Sequence, residues 1–441
     1  MSNDYQQVPT DAASAEALAA RGLSLGLVDT TDTEAFSRWV QAETRGFHST
    51  LPSDETLAAQ FPLLASHRTT GVWDDTGADP ATPIATVASW PTDLTVPGHT
   101  SVEAWAISAV TVAPTHRRRG IARALLEAEL RTADALSLPV AMLTVSESTI
   151  YSRYGFAPAA MTADWIIDTQ RANWTGPVAS GRVHLLTLEQ ARIEGHDLIE
   201  RVRQEVPGQI RFSGYLWERM LGLHSDDKEL AKQLRFVRYD DADGTPQGFA
   251  IYRVTENEHN FSAHTLDLRY LVSATDDAYA GLWRYLLEMD LVSEVAANLR
   301  AVDEPVRWQV SDLRAARKTG EHDHLWVRIL NAKAALETRR YAAPARIVFE
   351  VSDPLGFADG RVLLDASTDG TATVTPFDGE IPDAAAAASV SVNELGALYL
   401  GGVSAVNLAK AGRLIELRDG SAQAIDAAFR SPVAPWLSIW F

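Results

Sequence analysis

One run of residues constrains this chain more than any other: Val110-Thr111-Val112-Ala113-Pro114-Thr115-His116-Arg117-Arg118-Arg119-Gly120-Ile121-Ala122. An apolar, β-branched stretch meets a proline turn, three arginines follow, and Gly-x-Ala opens a segment in which Ile121, Ala124, Leu125, Ala128 and Thr132 recur at helical spacing. A buried strand therefore feeds through a cationic loop into a helix packed on a sheet, which is an α/β architecture. The first N–H groups of a helix lack intrahelical partners and sit at the positive end of its dipole, so such a loop gathers anions. Gly120 and Ala122 leave the backbone open to a diphosphate, and Arg117, Arg118 and Arg119 add charge and fork-shaped donors. A Walker-type phosphate loop is excluded, because no Gly-x4-Gly-Lys-Ser/Thr occurs there.

The flanking sequence predicts strands at Leu23–Val28, Val72–Trp73, Ile84–Trp90, Ala104–Val112 and Val140–Val145, with a helix over about Gly120–Leu136. Thr31-Asp32-Thr33-Glu34 reads as a capping box opening an earlier helix, and Ala12–Arg21 as a short helix or frayed arm. Residues 166–325 loosely repeat the order. Val183–Leu186, Leu234–Tyr239, Phe249–Val254 and Leu266–Val272 read as strands, and Leu188–Val206 and Ala280–Met289 as helices. Where the first unit has its arginine loop, this one has Ala274-Thr275-Asp276-Asp277, so a duplicated domain here has lost its anion site. From 326 to 441, strands at Ala345–Val351, Arg361–Leu364 and Thr371–Pro376 precede the Ala- and Leu-rich stretches Ala384–Ala388 and Leu395–Leu408, an α+β pattern. The reading divides the chain at 1–165, 166–325 and 326–441, packed together without a long linker.

Composition narrows the chemistry. Among 441 residues there is no cysteine, which excludes disulfides, thiolate catalysis and thiolate-bound metal. Asp and Glu number 58 against 39 Lys and Arg, a net charge of −19 that disfavours nucleic acid and favours cationic partners. No run reaches the roughly 18 apolar residues of a membrane span, and Met1–Asp11 lacks the basic and apolar regions of a secretory signal, so a cytoplasmic location is expected. His322-Asp323-His324 reads as a solvent-facing loop rather than a metal site.

Two further pieces complete a candidate site. Ser146-Glu147-Ser148-Thr149-Ile150-Tyr151-Ser152-Arg153-Tyr154-Gly155-Phe156 offers a phenol at Tyr151, favoured over Tyr154. A phenol, with an ordinary pKa near ~10, can protonate a thiolate leaving group held beside it. The chain ends in Pro435-Trp436-Leu437-Ser438-Ile439-Trp440-Phe441, an apolar tail whose burial brings the α-carboxylate of Phe441 into the protein. A buried carboxylate is costly without a partner or a role.

The arginine segment resembles motif A of the GNAT acetyltransferases, Arg/Gln-x-x-Gly-x-Gly/Ala, filled by Arg117, Gly120 and Ala122. The later segment resembles that family's Tyr-x-x-x-Gly-Phe. With Leu325-Trp326-Val327-Arg328-Ile329-Leu330-Asn331 and Leu398-Tyr399-Leu400-Gly401-Gly402, nearly the whole chain resembles the Eis (enhanced intracellular survival) family of GNAT proteins. That resemblance implies an N-terminal GNAT domain, a central GNAT-like domain without the coenzyme loop, a C-terminal domain like sterol carrier protein, and a hexamer built from trimers. It implies acetyl-CoA as co-substrate. Val110, Thr111 and Val112 would lie along the pantetheine arm, the loop from Arg118 through Ile121 to Arg123 would hold the diphosphate, and Ser146 and Glu147 would line the site. It assigns Tyr151 as acid and the carboxylate of Phe441 as base, with no metal. Trp440 stands where a relative that acetylates aminoglycosides has an acid. Phe36, Trp39, Thr44, Gly46 and Phe47, with Glu43 the nearest acid, make the expected acceptor pocket more aromatic and narrower. The acceptor stays open between a small cationic amine such as an aminoglycoside or polyamine and a protein lysine. An inactive coenzyme- or lipid-binding scaffold is the rival reading, and a packed core explains the apolar C-terminal stretches as readily as a lipid site.

Overall fold

The computed structural model describes residues 3–223 and 228–441. They form two compact units: one of Met1–Ala159, Leu325–Pro432 and Phe441, the other of Ala160–His324 and Val433–Trp440. Among the described residues no helix is long and apolar enough to cross a membrane.

The first unit opens with helix α1 (Ala12–Ala19), strand β1 (Ser24–Leu27), helices α2 (Thr33–Gly46) and α3 (Asp54–Leu64), and strands β2 (Arg68–Trp73), β3 (Ala85–Val96) and β4 (Thr100–Val112). Helix α4 (Ile121–Ala135), strand β5 (Val140–Thr144) and the short helix α5 (Ser148–Tyr151) follow. The sheet order is β1-β2-β3-β4-β5, antiparallel except for the parallel β4–β5 pair that α4 bridges. The helical stripe behaves as its spacing predicts: Ile121, Ala124, Leu125, Ala128 and Thr132 are all buried. The α2 cap lies one residue beyond the expected Thr31. The Thr31 hydroxyl is engaged with Asp29, so the Asp32 carboxylate takes the N–H groups of Glu34 and Ala35.

In the second unit strand β6 (Ala157–Asp168) is followed by β7 (Arg182–Leu186), α6 (Leu188–Arg203), α7 (Gly214–Met220) and α8 (Lys228–Gln233). Strands β8 (Arg235–Asp240), β9 (Pro246–Thr255) and β10 (His264–Ser273), helix α9 (Asp276–Leu287) and strand β11 (Val292–Arg300) follow, and β12 (Ala316–Ile329) belongs to this unit as far as His324. β10 and β11 are parallel, bridged by α9, as β4 and β5 are by α4. Trp165, Tyr239, Leu282, Trp283 and Val295 fill its core. His322-Asp323-His324 lies inside β12, not in a loop. His324 is fully buried, with Nε2 2.8 Å from the Ile439 carbonyl oxygen. Its place facing inward on a strand corrects the solvent-facing expectation.

Residues 332–429 carry α10 (Ala332–Thr338), β13 (Ala345–Ser352), β14 (Gly360–Ala366), β15 (Ala372–Pro376), β16 (Ala386–Ser391), α11 (Val392–Leu398), α12 (Ala405–Lys410), β17 (Leu414–Glu416) and α13 (Ser421–Phe429). Their sheet runs β15-β14-β13-β16-β17, with β13 and β16 parallel. The Ala-rich run becomes strand β16, because Ala387 and Ala388 lie in the core beside Phe349 and Leu395. Arg339 is fully buried, with no carboxylate partner among the described residues. It donates to the carbonyls of Leu398, Tyr399 and Phe429, at the C-terminal, negative ends of α11 and α13.

Candidate active site

Strands β4 and β5 pair over only three positions, Ala104–Ala106 against Val140–Met142. Beyond them the strands part. The cause lies in β4: Ala109 sits at φ 53°, and the β3–β4 register slips there, so Ala109 and Val110 together oppose Val87. Thr86 locks the bulge, its hydroxyl donating to the Ala109 carbonyl at 2.8 Å and lying 2.6 Å from the Thr111 hydroxyl. Val110, Thr111 and Val112 thus keep β3 on one side and, among the described residues, have no strand on the other, the arrangement an extended ligand needs to pair with backbone.

The arginine loop leaves β4 through a turn at Pro114–His116. Arg118 at φ 62° and Gly120 at φ 74° are both left-handed, and Gly120 stands as N-cap of α4 with no side-chain cap hydrogen bond. Asp74 tethers the loop: its carboxylate lies 3.0 Å from His116 Nε2 and 3.8 Å from Arg119 Nη1. Hydrogen bonds from Thr76 and then His116 hold that carboxyl down at about 2. Ile121 points into the core and offers its backbone alone, while Arg123 pairs with Glu127 at 2.7 Å. Among the described residues Arg117 and Arg118 have no ion-pair partner and are exposed. Two uncommitted guanidinium groups therefore border an uncapped helix start.

Tyr151 ends α5 and is 7% exposed, its ring edge against Phe156. Burial, reinforced by Glu147 and Tyr154, raises its pKa above the ordinary phenol value. Among the described residues its hydroxyl has no hydrogen-bond partner, so the proton is free to be donated. Ser146 and Glu147 lie exposed between β5 and α5. The turn after Tyr151 is braced from afar. Gly155 takes φ 87°, and a Cβ there would meet Arg328 Nε at 2.4 Å. Arg328 Nε donates to the Tyr154 carbonyl at 2.7 Å, and Asn393 Nδ2 donates to the carbonyls of Ser152 and Phe156 at 2.9 and 2.7 Å.

At the end of β5 the Thr144 hydroxyl donates to the backbone oxygen of Phe441 at 2.9 Å. The Phe441 ring lies edge-on to Trp90, with centroids 5.9 Å apart, and Trp90 stacks on His67 at 4.2 Å. His67 is buried, and burial drives its pKa down to about 4. Phe36 and Trp39, expected in an acceptor pocket, pack instead with Val40 and Leu57 in a core cluster. Trp39 Nε1 donates to the Thr70 carbonyl at 2.9 Å.

Comparison with known proteins agrees with this geometry. Acetyltransferase (GNAT) domain models match residues 28–159 and 208–329, and a sterol carrier protein domain model matches 332–438. N-acetyltransferase Eis of Mycobacterium tuberculosis is 35% identical over 77% of this chain and 81% of its own. An uncharacterized N-acetyltransferase of Streptomyces avermitilis is 35% identical over 90% of this chain and 94% of its own. The crystal structure of Eis1 from Mycobacterium abscessus superposes with a TM-score of 0.80 at 28% identity, covering 95% of this chain and all of that one. The chain belongs to the Eis family of GNAT N-acetyltransferases.

For an Eis-family enzyme the two GNAT domains imply acetyl-CoA, and the arginine loop lies in the first of them. At the matching helix start of the second, Asp276 and Asp277 occupy the first turn, and Asp277 accepts hydrogen bonds from Ser180 and Tyr239. Among the described residues no group of three or more His, Asp and Glu side chains is arranged to hold a metal. Thr144, Arg328, Asn393 and the Ala109 bulge escaped the sequence reading. Of these, only Arg328 carried a signal, as a charge inside the apolar run Leu325–Leu330.

Proposed function

We propose that this Eis-family acetyltransferase moves an acetyl group from acetyl-CoA directly to a primary amine of a small cationic acceptor, aminoglycoside-like or a polyamine, within a ternary complex. The observation that carries the reading is the Thr144–Phe441 hydrogen bond at the C-terminal end of β5, the strand that leads to Tyr151. On this reading the bonded oxygen is one of the Phe441 carboxylate. It takes the proton of the attacking amine, directly or through water. Backbone along Val110–Val112 stabilises the oxyanion, and Tyr151 returns a proton to the departing thiolate. Arg117, Arg118, Arg119 and the N–H groups at Gly120–Ala122 hold the diphosphate; Arg123, Ser146 and Glu147 border the same site. A charge of −19 favours a cationic acceptor. The family resemblance supports assembly as a homohexamer.

The test is thiol release on mixing enzyme, acetyl-CoA and a panel of aminoglycosides, polyamines and lysine peptides, with products weighed by mass spectrometry. Acetylated small amines support the reading. Acetylated peptides alone move it to protein lysine acetylation, and tight coenzyme binding with no release from any acceptor makes the protein a scaffold.

A further inference from the structure

Helix α1 brings one more arginine to the loop. Leu18 is buried in the first core, and Arg131 of α4 pairs with Asp11 at 2.7 Å and reaches Ser14 Oγ at 3.2 Å. This fixes α1 along α4 and sets Arg21, two residues past its end, against the start of α4. Arg21 Nη1 donates to the Arg119 carbonyl, Arg119 Nη2 reaches the Arg21 carbonyl at 3.4 Å, and a Cβ on Gly120 would lie 2.5 Å from that Nη1. Between the two helices runs a cavity of about 320 Å³, bordered by Arg21, Gly120, Arg123, Glu127 and Arg131.

The charges there do not cancel. Glu127 is shared by Arg123 and Arg131, and Arg131 also holds Asp11. Arg119 faces Asp74. Arg21 has no carboxylate partner among the described residues. It lies against the Arg119–Gly120 backbone at the positive end of a 15-residue helix, whose preceding loop also carries Arg117 and Arg118 without ion-pair partners among the described residues. Gathering a further cation there is unfavourable on its own, and a strongly anionic ligand reverses the sign. Arg21, which follows α1, borders both the helix start and the cavity along the flank of α4. A coenzyme whose diphosphate occupies the helix start has one other phosphate, the monoester on its ribose.

We propose that Arg21 binds the 3′-phosphate of coenzyme A, making the N-terminal helix part of the coenzyme site. The inference rests on the acetyl-CoA reading and names one ligand group within it. The experiment is equilibrium binding of coenzyme A and of 3′-dephospho-coenzyme A to the full chain and to Arg21→Ala and Arg21→Lys. The unmodified chain should prefer coenzyme A by about tenfold, the strength of one charge-assisted hydrogen-bonded contact. Arg21→Ala should lose most of that preference while holding dephospho-coenzyme A within about twofold, Arg21→Lys should retain part of it, and raised salt should shrink the difference. Equal weakening of both ligands in Arg21→Ala overturns the assignment in favour of a diphosphate or loop-holding role, and no change overturns it in favour of a helix brace. Failure of the unmodified chain to bind either ligand refutes the acetyl-CoA reading itself.

Discussion

Arg328 Nη2 lies 2.8 Å from both carboxylate oxygens of Asp353, and the two side chains are 0% and 1% exposed. Asp353 also accepts the N–H groups of Leu355 and Ala358, so it is fully engaged. Arg328 in turn holds the Tyr154 carbonyl, which fixes the turn that presents Tyr151. Removing one partner of a buried pair strands the other charge, at a cost of about 3–5 kcal/mol. Asp353→Ala should therefore lower unfolding free energy by that order in denaturant titration. At a temperature where the variant stays folded, kcat should also fall, with acetyl-CoA affinity much less changed. Stability loss with an intact kcat would show that the ion pair is structural alone.

Tyr151→Phe keeps the ring against Phe156 and removes the proton. General acid catalysis is worth about 10²–10⁴-fold, so kcat should fall at least ~10²-fold while acetyl-CoA binding stays within about threefold. Because burial raises the phenol pKa, the unmodified enzyme should keep its proton, and this contribution to rate, at least up to pH ~10. A rate profile that collapses near neutral pH and is unchanged in Tyr151→Phe assigns the acid to another group.

Thr144→Val is nearly isosteric and deletes the hydroxyl bonded to Phe441. Losing one hydrogen bond to a charged group, about 1.5–3 kcal/mol, should lower kcat roughly tenfold or more. Removing Phe441 should lower it further, since the carboxylate then moves back by one residue. Steady-state kinetics on the two variants and their combination checks this. If Thr144 acts only through Phe441, the double change should be no worse than the deletion.

The parts of the site that could be read from residues are those built from consecutive ones. Helix α4 announces itself through its apolar stripe and Gly120, and Tyr151 through its distance from the arginines. The second unit's acidic helix start was legible for the same reason. What escaped depends on contacts between distant residues or on backbone alone. Nothing about an alanine signals φ 53° at Ala109, yet that bulge opens β4 from β5. Strand β12 is exposed or half-buried from Arg317 to Asp323 and buried from His324 to Ile329, so it offers no alternation for a local window to find. Arg328 and Asn393 reach the Tyr151 turn from the far end of the chain, a pairing no local window contains.

His67 and His324 give the enzyme an acid-side liability in each compact unit. Burial lowers both imidazoles to about 4 from 6.5. Above pH 6.5 neither state binds the proton and these groups contribute nothing to the pH dependence. Between 6.5 and about 4 the unfolded chain takes up protons that the folded chain refuses. Stability should therefore fall as pH drops through that window, by about 1.4 kcal/mol per pH unit for each histidine. Carboxylate protonation overlaps it, so the variant carries the test. His67→Phe retains a ring for Trp90 to stack on, and the slope of its unfolding free energy between pH 6.5 and 4.5 should be shallower by up to that amount, read from urea titrations. A slope identical to that of the unmodified chain would mean that His67 is protonated in the folded enzyme and that its Nε2, unpartnered in this structure, finds an acceptor there.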